Sequence, residues 1–266
     1  MTADETLTQT CRSLAATGRR AADLIASAPD LTVAAHHSEW TLQQVGAHLT
    51  AVAGFFTELA NGVPSFVSSM DRTYIRTEAE RLMADIPESD PTKLSRLLLD
   101  AIDEFLDATS DRPGDHPVTF HAGMPYTLAG ASGVFLGEMI LHGYDMATAL
   151  RAPWPIGPTE AALVLGAYTP VFALTAHPER TRGLSTAFGV ELRGAGAMTV
   201  RFTEGAFSVE EPGSPVDATV SAEPTAFLLV GSGRLDRFEA IALDLLEAGG
   251  ARPDLALGFF DLFVFP

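Results

Sequence analysis

The sequence predicts two domains, an all-α helical bundle over residues 1–151 and an α+β domain with an antiparallel sheet over residues 152–266. Three observations carry this. The first 150 residues give apolar spacings of three and four, one helix after another. Ala152-Pro153-Trp154-Pro155-Ile156-Gly157-Pro158 then breaks the pattern with three prolines. Beyond it, short alternating segments separated by turn residues appear.

Composition bounds the rest. With 266 residues, 47% hydrophobic and 19% charged, the chain is rich enough in apolar groups to pack a core. A net charge of −17 argues against nucleic acid and against an anionic membrane surface as partners. No apolar run reaches transmembrane length. The polar, acidic N-terminus does not resemble a signal peptide, so a cytoplasmic protein is expected. One cysteine, Cys11, excludes an intrachain disulfide.

The elements follow in order. Leu7, Cys11, Leu14, Ala21, Leu24 and Ile25 mark a first helix, with Cys11 on its apolar face as a small buried hydrophobe. Pro29-Asp30 ends it, and Leu31–Trp40 is irregular. Thr41 and Gln44 form a capping box ahead of Leu42, Val45, Leu49, Val52 and Phe56. His48 falls inside that repeat and therefore faces the core. A third helix spans about Asp71–Ala84. A fourth, capped by Asp90 with Pro91 at its first position, is expected to bury Leu94, Leu97, Leu98, Ile102, Phe105 and Leu106. A strand-like piece, Pro117–His121, precedes an apolar helix from about Thr127 to Leu150. Past the proline linker come a helix over about Thr159–Ala176 and strands at Gly189–Leu192, Met198–Phe202, Phe207–Glu210 and Ala218–Ser221. Pro224–Gly231 reads as helix, Phe238–Leu246 as either strand or helix, and Pro253–Phe263 as a last helix. Phe260, Phe263 and Phe265 are expected to close a core or line a cavity.

The chemistry concentrates in the Thr127–Leu150 helix. Glu138 and His142 are four residues apart and share one helical face, and Asp145 follows three later. Such groups in an apolar helix need partners. With His48 they form two imidazoles and a carboxylate, a set suited to a divalent ion with an open position. A hydrogen-bonded polar network without metal satisfies the same spacing. Asp145 either accepts the outer N–H of a ligand histidine or makes a local helix contact. His36, His37 and His116 read as exposed loop residues, while His121 is placed to sit at the mouth of such a site. Gly231-Ser232-Gly233-Arg234 is either a surface turn or a carboxylate-binding arginine framed by glycines.

Glu39-Trp40-Thr41-Leu42-Gln43-Gln44-Val45-Gly46-Ala47-His48-Leu49 resembles the first metal-ligand motif of the DinB-like bundles, of the mycothiol-dependent maleylpyruvate isomerase type. Gly137-Glu138-Met139-Ile140-Leu141-His142-Gly143-Tyr144-Asp145-Met146-Ala147 resembles the second, and Pro153-Trp154-Pro155 the usual interdomain junction. The segment from Val216-Asp217-Ala218-Thr219-Val220 through Gly231-Ser232-Gly233-Arg234 is similar to the sterol-carrier-protein-like domain of that family. The resemblance covers nearly the whole chain.

It implies a DinB-like four-helix bundle holding a divalent metal, usually zinc, on His48, Glu138 and His142. It also implies a small thiol, mycothiol, as cosubstrate. In such an isomerase the metal-activated thiolate adds to a conjugated cis double bond, the single bond rotates, and elimination gives the trans product. Arg234 is the expected anchor for substrate carboxylates, and Asp145 the expected helper of His142. Tyr144 stands where the family often has Trp. Thiol S-transfer to another electrophile, Lewis-acid chemistry without thiol, and apolar-ligand binding remain as alternatives. Oligomeric state does not follow from the sequence.

Overall fold

The structure is a computed structural model that describes residues 1–264, the side chain of residue 173 excepted, so Phe265 lies outside the described residues. The chain divides into two compact units, Met1–Pro155 and Ile156–Pro266.

In the first unit α1 (Ala3–Ser27), α2 (Leu42–Ala60), α4 (Pro91–Thr109) and α5 (Leu128–Leu150) form a four-helix bundle, and α3 (Arg72–Ala84) packs at its edge on α2. Local chemistry sets the helix starts. Thr41 Oγ1 accepts from the Gln44 amide at 3.3 Å while Gln44 Oε1 accepts from the Thr41 amide at 2.9 Å. Asp90 Oδ1 accepts from the Lys93 amide at 2.9 Å, with Pro91 in the first turn. α5 is buried on most of its circumference, as its apolar composition requires. Its Phe135 stacks on Phe56 at 5.1 Å and meets Phe105 edge-on at 5.1 Å.

Two of the six expected burials in α4 are not met, since Leu106 is only half-buried and Leu97 faces out. Leu97 is 41% exposed, because Leu94, Leu98, Ile102 and Phe105 already define the inward stripe and Leu97 lies about 100° from Leu98 around the axis. Pro117–His121 shortens to β1 (Pro117–Thr119), which pairs antiparallel with β2 (Pro125–Thr127) around a 3-10 turn at His121–Gly123.

The second unit opens with α6 (Pro158–Thr175) and the short α7 (Pro178–Thr181). Its sheet has the order β5-β4-β3-β6-β7, made of β3 (Thr186–Leu192), β4 (Gly196–Thr203), β5 (Ala206–Glu210), β6 (Ala218–Ala222) and β7 (Leu246–Gly249). All pairings are antiparallel except β3 with β6. That parallel pair joins non-consecutive strands, which alternation within one segment cannot reveal. α8 (Pro224–Gly231) matches its expected range. The ambiguous stretch resolves into α9 (Arg237–Ala242), capped by Asp236, followed by β7. The expected last helix is two pieces, α10 (Pro253–Leu257) and a 3-10 turn Phe259–Leu262, interrupted at Gly258. Phe188, Phe202, Phe259 and Phe263 touch one another ring to ring, so this cluster closes a core. Among the described residues no helix is long and apolar enough to cross a membrane.

Candidate metal centre

α2 and α5 pack against each other in the bundle, and the centre forms on their facing sides. The capping box fixes where α2 begins, which puts His48 two turns into the helix and 8% exposed. On α5 the i,i+4 spacing stacks Glu138 and His142. Glu138 Oε2 then lies 3.3 Å from His48 Nε2 and 3.4 Å from His142 Nε2. One ligand atom from each of the three residues lies within 4.8 Å of the others.

Electrostatics favour positive charge here. Burial pushes Glu138 up, but hydrogen bonding to His142 and His48 outweighs it and holds the carboxyl well below the usual range. Burial pushes His48 down and keeps it neutral, the state that ligates. Burial opposes charge on His142 as well, yet Asp145 and Glu138 together raise it. Asp145 is fully buried, its Oδ2 3.5 Å from His142 Nδ1. That separation is an ion-pair contact, long for a hydrogen bond, and Nδ1 is buried without a hydrogen bond of standard geometry. One half-buried and one fully buried carboxylate around two imidazoles, with converging lone-pair atoms, therefore fit a divalent cation.

The loop before α2 covers the centre. The Leu42 and Gln43 amides donate to Val33 and Leu31 carbonyls at 2.9 and 3.0 Å, so the loop folds back on the helix start. Trp40 thereby lies 4.8 Å from the His48 ring and 5.9 Å from the His142 ring. The His36 amide donates to the Asp145 carbonyl at 3.1 Å and ties the loop to α5. Sequence reasoning assigned Trp40 no role. Its signal was available, a large aromatic directly after the polar run His36-His37-Ser38-Glu39 and one residue before a helix cap. His36 and His37 are exposed, as expected, with His37 stacked on Tyr144 at 6.3 Å, while His116 is half-buried.

The structure thus brings His48, Glu138, His142 and Asp145 together. Arg234 belongs to the other unit, in the turn after α8, where its Nη1 donates to the Ser232 carbonyl at 3.2 Å. Cys11 is half-buried with Sγ 3.7 Å from Thr109 Oγ1, and burial raises its thiol pKa, which disfavours thiolate formation.

His121 sits on the turn between β1 and β2. Its ring stacks on Phe120 at 4.1 Å and approaches Phe55 at 5.3 Å, and Nδ1 is 2.8 Å from Ser65 Oγ. Burial pushes its pKa from 6.5 down to about 4, against the pull of the Glu138 charge. The unfolded chain takes up this proton near 6.5 and the folded one only near 4, so stability falls as pH drops through that window. Denaturant titrations should show His121→Gln removing about 3 kcal/mol of acid sensitivity between pH 7 and 4. An unchanged pH profile would contradict the burial of a neutral imidazole here.

Comparison with known proteins agrees with this architecture. The sequence model described as the mycothiol maleylpyruvate isomerase N-terminal domain matches residues 11–147, more than half of the chain. That of the SCP-2 sterol transfer family matches residues 172–252. The crystal structure of a mycothiol-dependent maleylpyruvate isomerase superposes with a TM-score of 0.53 at 14% identity, covering 94% of this chain and 93% of that one. A point mutant of a mycothiol-dependent maleylpyruvate isomerase superposes with the same values. At that identity the likeness concerns the fold. Comparison with curated protein sequences gives no match. The bundle with its His-Glu-His cluster and the α+β unit that follows place this chain in the mycothiol maleylpyruvate isomerase N-terminal domain family, with an SCP-2-type domain behind it.

Proposed function

We propose that the chain is a divalent-metal-dependent enzyme that works with a low-molecular-weight thiol such as mycothiol on a small electrophile, as a maleylpyruvate-type cis/trans isomerase. The observation that carries this reading is the convergence of His48 Nε2 and His142 Nε2 on one oxygen of Glu138, in a chain whose one cysteine is poorly disposed to ionise. His48, Glu138 and His142 are the proposed ligands and zinc the proposed ion. When bound, the metal supplies the charge that stabilises a thiolate at neutral pH.

The protein groups do the rest. Glu138 and Asp145 set the negative potential that retains a cation. Asp145 holds the outer nitrogen of His142 and so orients the inner one. Trp40 shields the imidazoles from bulk water and strengthens local electrostatics. Burial disfavours the Cys11 thiolate, so the sulfur nucleophile is assigned to the cosubstrate. Arg234 is the proposed carboxylate anchor, on the strength of its fixed fork of donors.

The test is absorbance loss of maleylpyruvate by the zinc-loaded protein with and without mycothiol. Turnover that requires the thiol supports the reading, and equal rates without it remove the thiol. Asp145→Asn should weaken zinc binding about 10- to 100-fold in competition with a chromogenic chelator. Unchanged affinity would show that Asp145 does not orient His142.

A further inference from the structure

The His121 imidazole has one bonded edge and one open edge. Its Nδ1 is 2.8 Å from Ser65 Oγ. Ser65 is itself fixed to the β1–β2 hairpin, because its amide donates to the Thr119 carbonyl at 2.9 Å and the Ala122 amide donates to the Val67 carbonyl at 2.8 Å. Ser65 Oγ also accepts from the Val67 amide at 3.1 Å. A hydroxyl oxygen that already accepts one N–H gives its own proton most readily to Nδ1, so this bonding pattern assigns the ring proton to Nε2. Nε2 has no hydrogen-bond partner among the described residues, and it is not sealed off by the protein. Phe120 and Phe55 hold the ring plane from either side.

Phe55 links this ring to the metal centre. It follows His48 by seven residues on α2, two turns along one face and about 10 Å away. Ala51 and Val52 lie between them on that face and are half-buried, so the strip is only partly covered by protein. α5 runs alongside it, since Phe135 stacks on Phe56 three residues before Glu138. The Glu138 side chain is 24% exposed, and its charge is felt at His121. Phe66, 40% exposed, meets Phe55 edge-on at 5.6 Å. A path thus leads from the His-Glu-His cluster, past two aromatic rings, to a single N–H donor.

We infer that His121 is a further catalytic residue, which donates from Nε2–H to the carbonyl oxygen conjugated with the double bond of the substrate. This rests on the isomerase reading above and names its substrate class, flat conjugated oxo acids with the alkene toward the cluster and the ketone toward His121. When the thiolate sulfur bonds to the alkene carbon farther from the ketone, the π pair moves onto the ketone oxygen and leaves an enolate. The former double bond is then single and rotates. Return of the pair re-forms the alkene and expels the thiolate. No proton changes hands. A fixed N–H aimed at the oxygen where charge develops lowers the barrier to both steps. A neutral imidazole suits this role, because an imidazolium would protonate the enolate and trap a thioether. Burial holds the ring's pKa down to about 4, which keeps it neutral.

Two measurements on the zinc-loaded full chain test this. The first is steady-state turnover of maleylpyruvate with mycothiol. His121→Phe keeps the ring stack and should keep zinc content, yet lose about 100-fold in kcat with KM changed less than about threefold. His121→Gln restores a donor and should recover about tenfold. The second needs no turnover. Proton–nitrogen NMR of isotope-labelled histidines should show His121 protonated on Nε2, with that signal shifting on addition of levulinate, a saturated oxo acid that cannot take up thiol. His121→Phe identifies the signal by removing it. Absence of maleylpyruvate turnover by the unsubstituted chain would remove the isomerase reading alone, and the levulinate shift would then decide whether His121 binds a carbonyl. Unchanged kcat in His121→Phe, a loss that His121→Gln does not recover, a proton on Nδ1, or an Nε2 signal indifferent to levulinate would each overturn the inference.

Discussion

His48→Ala should purify without stoichiometric zinc and lose about 10³-fold in kcat/KM for the thiol-dependent reaction. His48 is the one member of the cluster on α2, whereas Glu138 and His142 are both on α5. Its removal leaves two neighbours on a single helix, too few for a closed divalent site. Glu138→Gln tests the other half of the design. It keeps the side chain's shape but withdraws the charge toward which both Nε2 atoms point. Zinc content should fall with both variants, while helical content persists. Retention of full zinc content by His48→Ala would show that the metal, if any, binds elsewhere. Zinc affinity should also decline as pH falls, because ligating imidazoles must shed protons. His142, raised by its two carboxylates, is where protons compete first.

The largest stability effect is expected at Gly143, one residue beyond His142. A Cβ there falls inside the indole of Trp154. That indole donates to the Ile140 carbonyl at 3.0 Å and carries Arg20 over its face at 4.6 Å, while Arg20 also donates to the Pro155 carbonyl at 2.7 Å. Prolines on both sides of Trp154 restrict its retreat. Gly143→Ala should therefore cost about 2–4 kcal/mol, well above the small gain expected from alanine in a helix. In a Trp154→Ala background the same substitution should become neutral or stabilising, a large non-additivity measurable by denaturant titration. Additive losses would place the cost elsewhere than in the indole contact.

Much of this was legible in the residues because it is local. Thr41, Gln44, Asp90 and Pro91 announce helix starts through bonds that span only a few positions. Glu138 and His142 share a face by spacing alone, and His48 points inward because Val45 and Leu49 do. What escaped depends on distant pairing or competition. The parallel contact of β3 with β6 is set by the whole sheet. Leu97 loses its place because four better-aligned residues fill the stripe. Gly258 divides a segment whose apolar content suits one helix equally well. The cover of the centre by Trp40 required knowing that the loop doubles back onto the start of α2. Arg234 shows the limit of a short motif, since glycines on either side describe a turn but not what the guanidinium faces.

The two tryptophans have a further consequence, an optical one. The chain has only Trp40 and Trp154, the first against the imidazoles and the second against the far side of the same helical turn. Replacing Trp154 by Phe leaves a single indole whose emission depends on the charge state of two rings within 6 Å. The centre carries its own fluorophore, so occupancy can be followed in solution without labelling and without turnover.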